Sequence, residues 1–199
     1  MGLEIAKEGK YLYHLTKLSN LDSILQYGLL SRRQILGRRI GFDDVADQKI
    51  IDKRTKLGLD EFTPFHFHPY SAFDAAVKHT YDAQEMIYIC IERELAKNNN
   101  FLILPKHPLS EKECEMYEYE EGIQRIDWET LMEVGRKDNY AREVKMAECL
   151  TNSVVPPEWI KCFYVPSEKV KKLVEDKMKE NEINYPPPYV NVQPMWFQN

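Results

Sequence analysis

The amino-acid sequence predicts an α+β fold. Residues 86–92, MIYICIE, read as a buried strand, β-branched and aromatic without interruption. Helix signals separate such runs, with Ser19, Ser71 and Ser167 each ahead of a helical pattern. The order lacks the regular βαβ rhythm of a doubly wound parallel sheet.

The elements follow in order. Residues 11–15, YLYHL, alternate and are rich in aromatics, so they predict a strand. A helix is expected over 19–27, with Ser19 as cap, Asp22 three residues on, and Leu21, Ile24 and Leu25 as its apolar stripe. Gly28 suits a left-handed stop, and Ser31 starts a second short helix. Residues 42–60 are polar and unpatterned, which predicts helical pieces and a loop.

Residues 64–67 read as a short strand and 72–79 as a helix capped by Ser71, with Asp74 three residues later. FLIL at 101–104 is a further strand. Residues 110–122 are acidic, with Ser110 and Glu113 in capping-box spacing, and 127–135 suggest a short helix around Trp128. Residues 142–150 fit helix or strand. As a strand, alternation puts Val144, Met146, Glu148 and Leu150 on one face. IKCFYV at 160–165 is a strand, a charged amphipathic helix follows at 167–182, and a proline-rich tail leads into a last short strand.

With 199 residues and 23.5 kDa, the chain is expected to be a single domain spanning 1–199. A chain of this length buries about 70% of its unfolded surface, so it needs no disulfide or metal staple. Mean hydropathy of -0.54 and the lack of an 18-residue apolar run exclude a membrane-spanning helix. MGLEIAKEGK has no apolar core, so no signal peptide is expected. The four cysteines form no CxxC pair, which suits free thiols in a reducing bacterial cytoplasm and no zinc site. Net charge is -5, yet residues 1–60 carry 11 Lys and Arg against 8 Asp and Glu. A local basic face around Arg32, Arg33, Arg38, Arg39 and Arg54 could contact phosphates, although solvation alone also explains it.

Several catalytic signatures are missing: GxGxxG, Walker A and GxSxG. His66 and His68 sit two apart on the expected strand and could share a metal, but no third ligand stands at a familiar spacing, so no metal is expected. Taken alone, a histidine placed as His14 is in YHLT is more often structural than a ligand. Glu148 lies in an apolar run, AECL. A carboxylate there is costly unless it faces a cleft or is paired, with Arg142 or Lys145 as the near candidates.

The order YHLT, SNLDSILQYGLLS, a basic loop with Arg54, TPFHF, IDWETL, AREVKMAECL, VPPEWI and V-x-V-x-P-x-W-F resembles the DarT family of bacterial NAD-dependent DNA ADP-ribosyltransferase toxins. The resemblance covers residues 11–197. It implies an ADP-ribosyltransferase-like fold: central mixed or antiparallel sheets split around an NAD cleft, with flanking helices. It also implies NAD+ as co-substrate. His14, Thr16 and Asn20 would then lie beside the adenosine ribose, Gly28 and Leu29 on the nicotinamide side, and Arg54 on the phosphates. Glu148 matches the family's catalytic glutamate, Arg142 an arginine near the target base, and His107 a further active-site histidine. Tyr70, Phe73 and Tyr140 could stack on the base. The segment His68–Phe73 departs from the family's Pro-Arg-Ser-Pro-Met-like pattern and carries no arginine.

The implied function is transfer of ADP-ribose to thymidine in single-stranded DNA, as the toxin of a toxin–antitoxin pair with a macrodomain antitoxin. The same chemistry on RNA or protein is the alternative. A silent binding module, with Glu148 in a structural ion pair, is a third class. An internal-phosphate transferase would require a spread set of arginines that the sequence does not show.

Overall fold

The structure, a computed structural model, describes every residue except 1–2, 47, 70, 108–113, 137, 184–185 and 199. Helix α1 (Leu3–Glu8) leads into β1 (Tyr11–Lys17), a 3-10 turn at Leu18–Asn20 and α2 (Leu21–Tyr27). Then come α3 (Arg32–Arg38), α4 (Gln48–Lys56) and the short β2 (Thr63–Phe65). They are followed by α5 (Ala72–Thr80), β3 (Met86–Glu92), α6 (Arg93–Asn98) and β4 (Leu102–Leu104). β5 (Tyr117–Glu118) runs directly into α7 (Tyr119–Arg125), ahead of α8 (Trp128–Met132) and α9 (Asn139–Val144). β6 (Glu148–Thr151), β7 (Cys162–Val165), α10 (Glu168–Glu180), β8 (Tyr189–Val192) and a 3-10 turn at Pro194–Phe197 complete the chain.

Among the described residues the strands form two four-stranded sheets, ordered β1-β3-β7-β8 and β2-β6-β4-β5. All pairings are antiparallel except β7 with β8. The sheets meet where Tyr13 and His66 exchange backbone bonds of 2.9 and 2.7 Å.

β3 is buried on both faces, as its apolar run predicts, and its side chains alternate between two layers. Ile87, Ile89 and Ile91 enter the main core with Leu12 and Phe163. Met86, Tyr88 and Cys90 point the other way, against Tyr13, Trp196 and Phe197. Trp196 lies edge-on to Tyr13 and Tyr88. The final turn thus closes the outer face, and burying a side chain the size of Phe197 contributes about 1.5–3 kcal/mol. α10 covers the inner layer with Val170, Val174 and Met178.

The local signals place most elements. Ser31 with Gln34 and Ser71 with Asp74 form reciprocal capping boxes, and Ser167 caps α10. Ser19 does not cap α2. Its hydroxyl donates to Asp43 at 2.6 Å, and the cap residue is Asn20, whose side chain also faces the 43 loop. The 142–150 stretch divides. Asp138 caps α9 through Ala141 N, so Arg142–Val144 are helical and alternation begins only at β6. The Ser110–Glu113 capping box lies outside the described residues.

Gly28 ends α2 with φ 83° and ψ 172°, an extended glycine conformation rather than the left-handed helical one. A Cβ there would stand 2.7 Å from the Val155 carbonyl oxygen, because Leu29 and Val155 exchange backbone bonds of 2.8 and 3.0 Å. Strained backbone of this kind costs about 1–3 kcal/mol before any clash is counted. Gly28→Ala is therefore expected to lose at least that much in urea unfolding. A loss under about 0.5 kcal/mol, the range of a neutral surface substitution, would contradict it.

Candidate active site

Glu148 opens β6, an inner strand paired to β2 on one side and β4 on the other. Its position is therefore fixed from both edges. Alternation then sends Cys149 into the main core and puts Leu150 in a separate cluster with Leu59 and Leu104. The Glu148 side chain enters a cleft enclosing about 910 Å³, its open mouth included.

Glu148 is 3% exposed, and its partner is Arg54 on α4. One guanidinium nitrogen donates to both carboxylate oxygens, at 2.8 and 3.0 Å, and the other to Leu59 O at 3.4 Å. Burial raises the Glu148 pKa, but the Arg54 charge, then His107 and His66, pull it down. The result is below the ordinary carboxylate value. The near candidates for this pair do not supply it. Lys145 donates to Arg136 O at 2.8 Å, and Arg142 is exposed on α9 and absent from the cleft wall.

His14 on β1 lines the cleft, with Nδ1 2.8 Å from Pro64 O. The carbonyl can only accept, so Nδ1 carries the proton. Burial pushes the imidazole down to about 4. His107 also lines the cleft, and its backbone N–H donates to Glu143 O at 2.9 Å, which ties the β4 exit to α9. Phe73 lines it as well, stacked on His66 with centroids 6.0 Å apart.

Other residues singled out in the sequence act at one remove. Asn20 and Thr16 are buried and hold the loop that forms one wall. The Asn20 amide donates to Thr16 Oγ1 at 3.1 Å and to Asp43 O at 2.9 Å, and accepts from Asp43 N at 2.8 Å. Arg32 pairs with Asp44 on the same loop. Phe42, Asp44, Val45 and Ala46 then face the cleft. The Gly28 N–H donates to Ile24 O and the Leu29 backbone is engaged with Val155, while Leu30 and Ser31 reach the lining. Tyr140 is 44% exposed, donates to Asp127 at 2.9 Å and lies away from the cleft. Tyr70 lies outside the described residues.

The structure adds residues that sequence reasoning did not place: His66, Met146, Phe42 and Val45. His66 does not lie on a strand with His68, because β2 ends at Phe65. Among the described residues no cluster of three or more His, Cys, Asp or Glu could hold a metal ion.

The buried histidines set the response to acid. Burial also lowers His68, to about 3. The unfolded chain takes these protons near 6.5, the folded chain only near 4 and 3. Stability is thus complete above about pH 6.5 and is lost as pH falls through that window. For His14 the loss is on the order of 1–3 kcal/mol. The melting temperature is expected to fall from pH 6.5 to 4, with a shallower slope in His14→Gln. An unchanged slope in that variant would count against the assignment.

A family model described as ssDNA thymidine ADP-ribosyltransferase, DarT, matches residues 13–198. A DNA ADP-ribosyl transferase–DNA ADP-ribosyl glycohydrolase fusion protein of Thermosipho africanus is 26% identical over 185 residues. The match covers 86% of this chain and 46% of that protein, so the chain spans about half its length. A DNA ADP-ribosyl transferase of Thermus aquaticus is 23% identical, with 94% and 88% covered. Among solved structures, Thermus sp. 2.9 DarT in complex with ADP-ribosylated ssDNA superposes with a TM-score of 0.83 at 21% identity, covering 96% of this chain and 97% of that one. The same protein in complex with NAD+ gives 0.76 at 19% identity, with 95% and 98% covered. These likenesses show the α+β fold expected from the sequence.

Proposed function

The chain belongs to the DarT family of ssDNA thymidine ADP-ribosyltransferases, and from that premise we propose that it transfers ADP-ribose from NAD+ to thymidine in single-stranded DNA. The observation that carries the reading is Glu148, buried at the cleft wall and held ionised and oriented by Arg54.

The bond to be broken joins nicotinamide to ribose. Nicotinamide leaves readily, so the demand falls on the sugar, whose transition state resembles an oxocarbenium ion. A fixed carboxylate can hold the ribose hydroxyls and stabilise that positive charge without reorganising. Glu148 fills this role, and Arg54 is its positioning residue. For Arg54 to bind the phosphates its fork would have to leave Glu148. Phe42 and Val45 make the loop wall apolar, which favours the acceptor base over water.

Single-stranded DNA spares the cost of unstacking the acceptor. Phe42 is 37% exposed at the cleft and is suited to stack on a base. Arg142, exposed on α9, is suited to a strand phosphate. A macrodomain-type glycohydrolase is the expected antitoxin. The Thermosipho protein, which joins a transferase to an ADP-ribosyl glycohydrolase in one chain, supports that pairing. A toxin role for residues 1–199 as one domain, in a bacterial cytoplasm, fits the same reading. No helix of the described residues is long and apolar enough to cross a membrane.

The test is a panel of single-stranded DNA, RNA and bulk protein, each incubated with labelled NAD+. Label on thymidine-containing DNA supports the reading. Label confined to RNA or protein contradicts the acceptor.

A further inference from the structure

We propose that His66 is a catalytic base of this enzyme: its Nε2 takes the proton from the thymine ring nitrogen N3 as ADP-ribose is transferred. The proposal rests on the reading of the preceding subsection.

Three observations place it. His66 lines the cleft beside Glu148, and its backbone is fixed by the bridge to Tyr13 where the two sheets meet. Its ring is held face-on by Phe73 at 6.0 Å and 29°. Its Nδ1 lies 3.3 Å from the carbonyl of Ala147, the residue before Glu148. A carbonyl only accepts, so Nδ1 carries the hydrogen and Nε2 keeps its lone pair. Among the described residues Nε2 has no hydrogen bond.

The reaction requires such an acceptor. Thymine in DNA has one ring N–H, and N3 becomes strongly nucleophilic only as that proton leaves. Arg54 cannot accept a proton. Glu148 has both oxygens on Arg54. Burial leaves His14, whose Nδ1 is engaged with Pro64 O, a poor base. The carboxylates that interact with His66 are Asp74, wholly buried on α5, and Glu148 on β6. His14 on β1 and His68 interact with it as well.

The atoms balance as follows. The N3–H electron pair forms the bond from N3 to ribose C1′. The bond from C1′ to the nicotinamide nitrogen breaks, and its pair neutralises the pyridinium, which leaves as nicotinamide. The proton rests on His66 Nε2 and passes to water before the next turnover.

The test compares two oligonucleotides, alike except that one carries thymidine and the other 5-fluorodeoxyuridine, whose ring N–H is more acidic. The proteins are wild type, His66→Phe and His66→Gln. Phenylalanine keeps the ring stacked on Phe73, and glutamine keeps a donor for Ala147 O. The ratio of the two rates within one protein is independent of how much of it is folded or how tightly it binds NAD+. General-base catalysis contributes about 10²–10⁴-fold. The variants are therefore expected to lose about 10²-fold or more on thymidine and clearly less on the fluorinated substrate, so that the ratio shifts toward the latter. An unchanged ratio in both variants would overturn the role of His66. No transfer by the wild type to either oligonucleotide would overturn the reading beneath it.

Discussion

Glu148→Gln is expected to lower transfer by at least about 10²–10³-fold, the size usual for removing one preorganised electrostatic contact to a transition state. The amide is isosteric and can still accept from Arg54, so β6 keeps its pairing to β2 and β4. What it loses is the negative charge opposite the developing oxocarbenium ion. kcat should carry the loss, because an interaction made mainly in the transition state leaves KM nearly unchanged. Glu148→Ala should be as inactive and less stable, since it leaves the Arg54 guanidinium, 15% exposed, without its carboxylate. Wild-type kcat in Glu148→Gln would remove Glu148 from the chemistry.

Arg54→Ala has the second large effect, on two quantities at once. Removing one partner of a buried ion pair costs about 3–5 kcal/mol, because the remaining charge stays buried. Glu148 is the more buried of the two, so the cost should approach that range. In the intact protein the depressed Glu148 pKa gives stability that is present above the ordinary 4.5 and lost as pH falls through the lower folded value. Without Arg54, burial is left as the main influence and the pKa rises instead. The acid limb of the transfer rate should then move upward in pH in Arg54→Ala, while the wild type stays flat down to mildly acid pH. Arg54→Lys keeps the charge but not the fork, and should fall between them. A variant with an unmoved acid limb would show that Arg54 does not hold Glu148.

Much of the fold was legible because it is written locally. The MIYICIE run, short and rich in β-branched and aromatic residues, reads as a strand covered on both faces, and it is β3. Ser71 and Asp74 state the start of α5 within four residues. Where the reading failed, a distant residue decided. Ser19 has the form of a cap, yet Asp43, 24 positions away, takes its hydroxyl. The 142–150 run has strand-like alternation, yet Asp138 upstream makes its first half a helix.

The candidate site shows the same limit. His14, Arg54, Phe73, His107 and Glu148 are brought to one cleft. The pair that organises it joins residues 94 positions apart, whereas local spacing pointed to Arg142 and Lys145. The 42–46 wall has no periodicity to betray it. Asn20 grips it through two bonds to the Asp43 backbone, a contact no spacing rule anticipates. His66 had one signal in the sequence, its place in TPFHF, a segment shared with the family. That the strand stops at Phe65, just before it, is set by the fold.

The central claim is that Glu148, held by Arg54, transfers ADP-ribose from NAD+ to a DNA base. The most direct measurement is the intact mass of a single-stranded oligonucleotide with one thymidine, incubated with NAD+ and either wild type or Glu148→Gln. One added ADP-ribosyl mass, located on thymidine by fragmentation and absent with Glu148→Gln, is the predicted result. An oligonucleotide left unmodified by the wild type, or modified equally by both proteins, would contradict it.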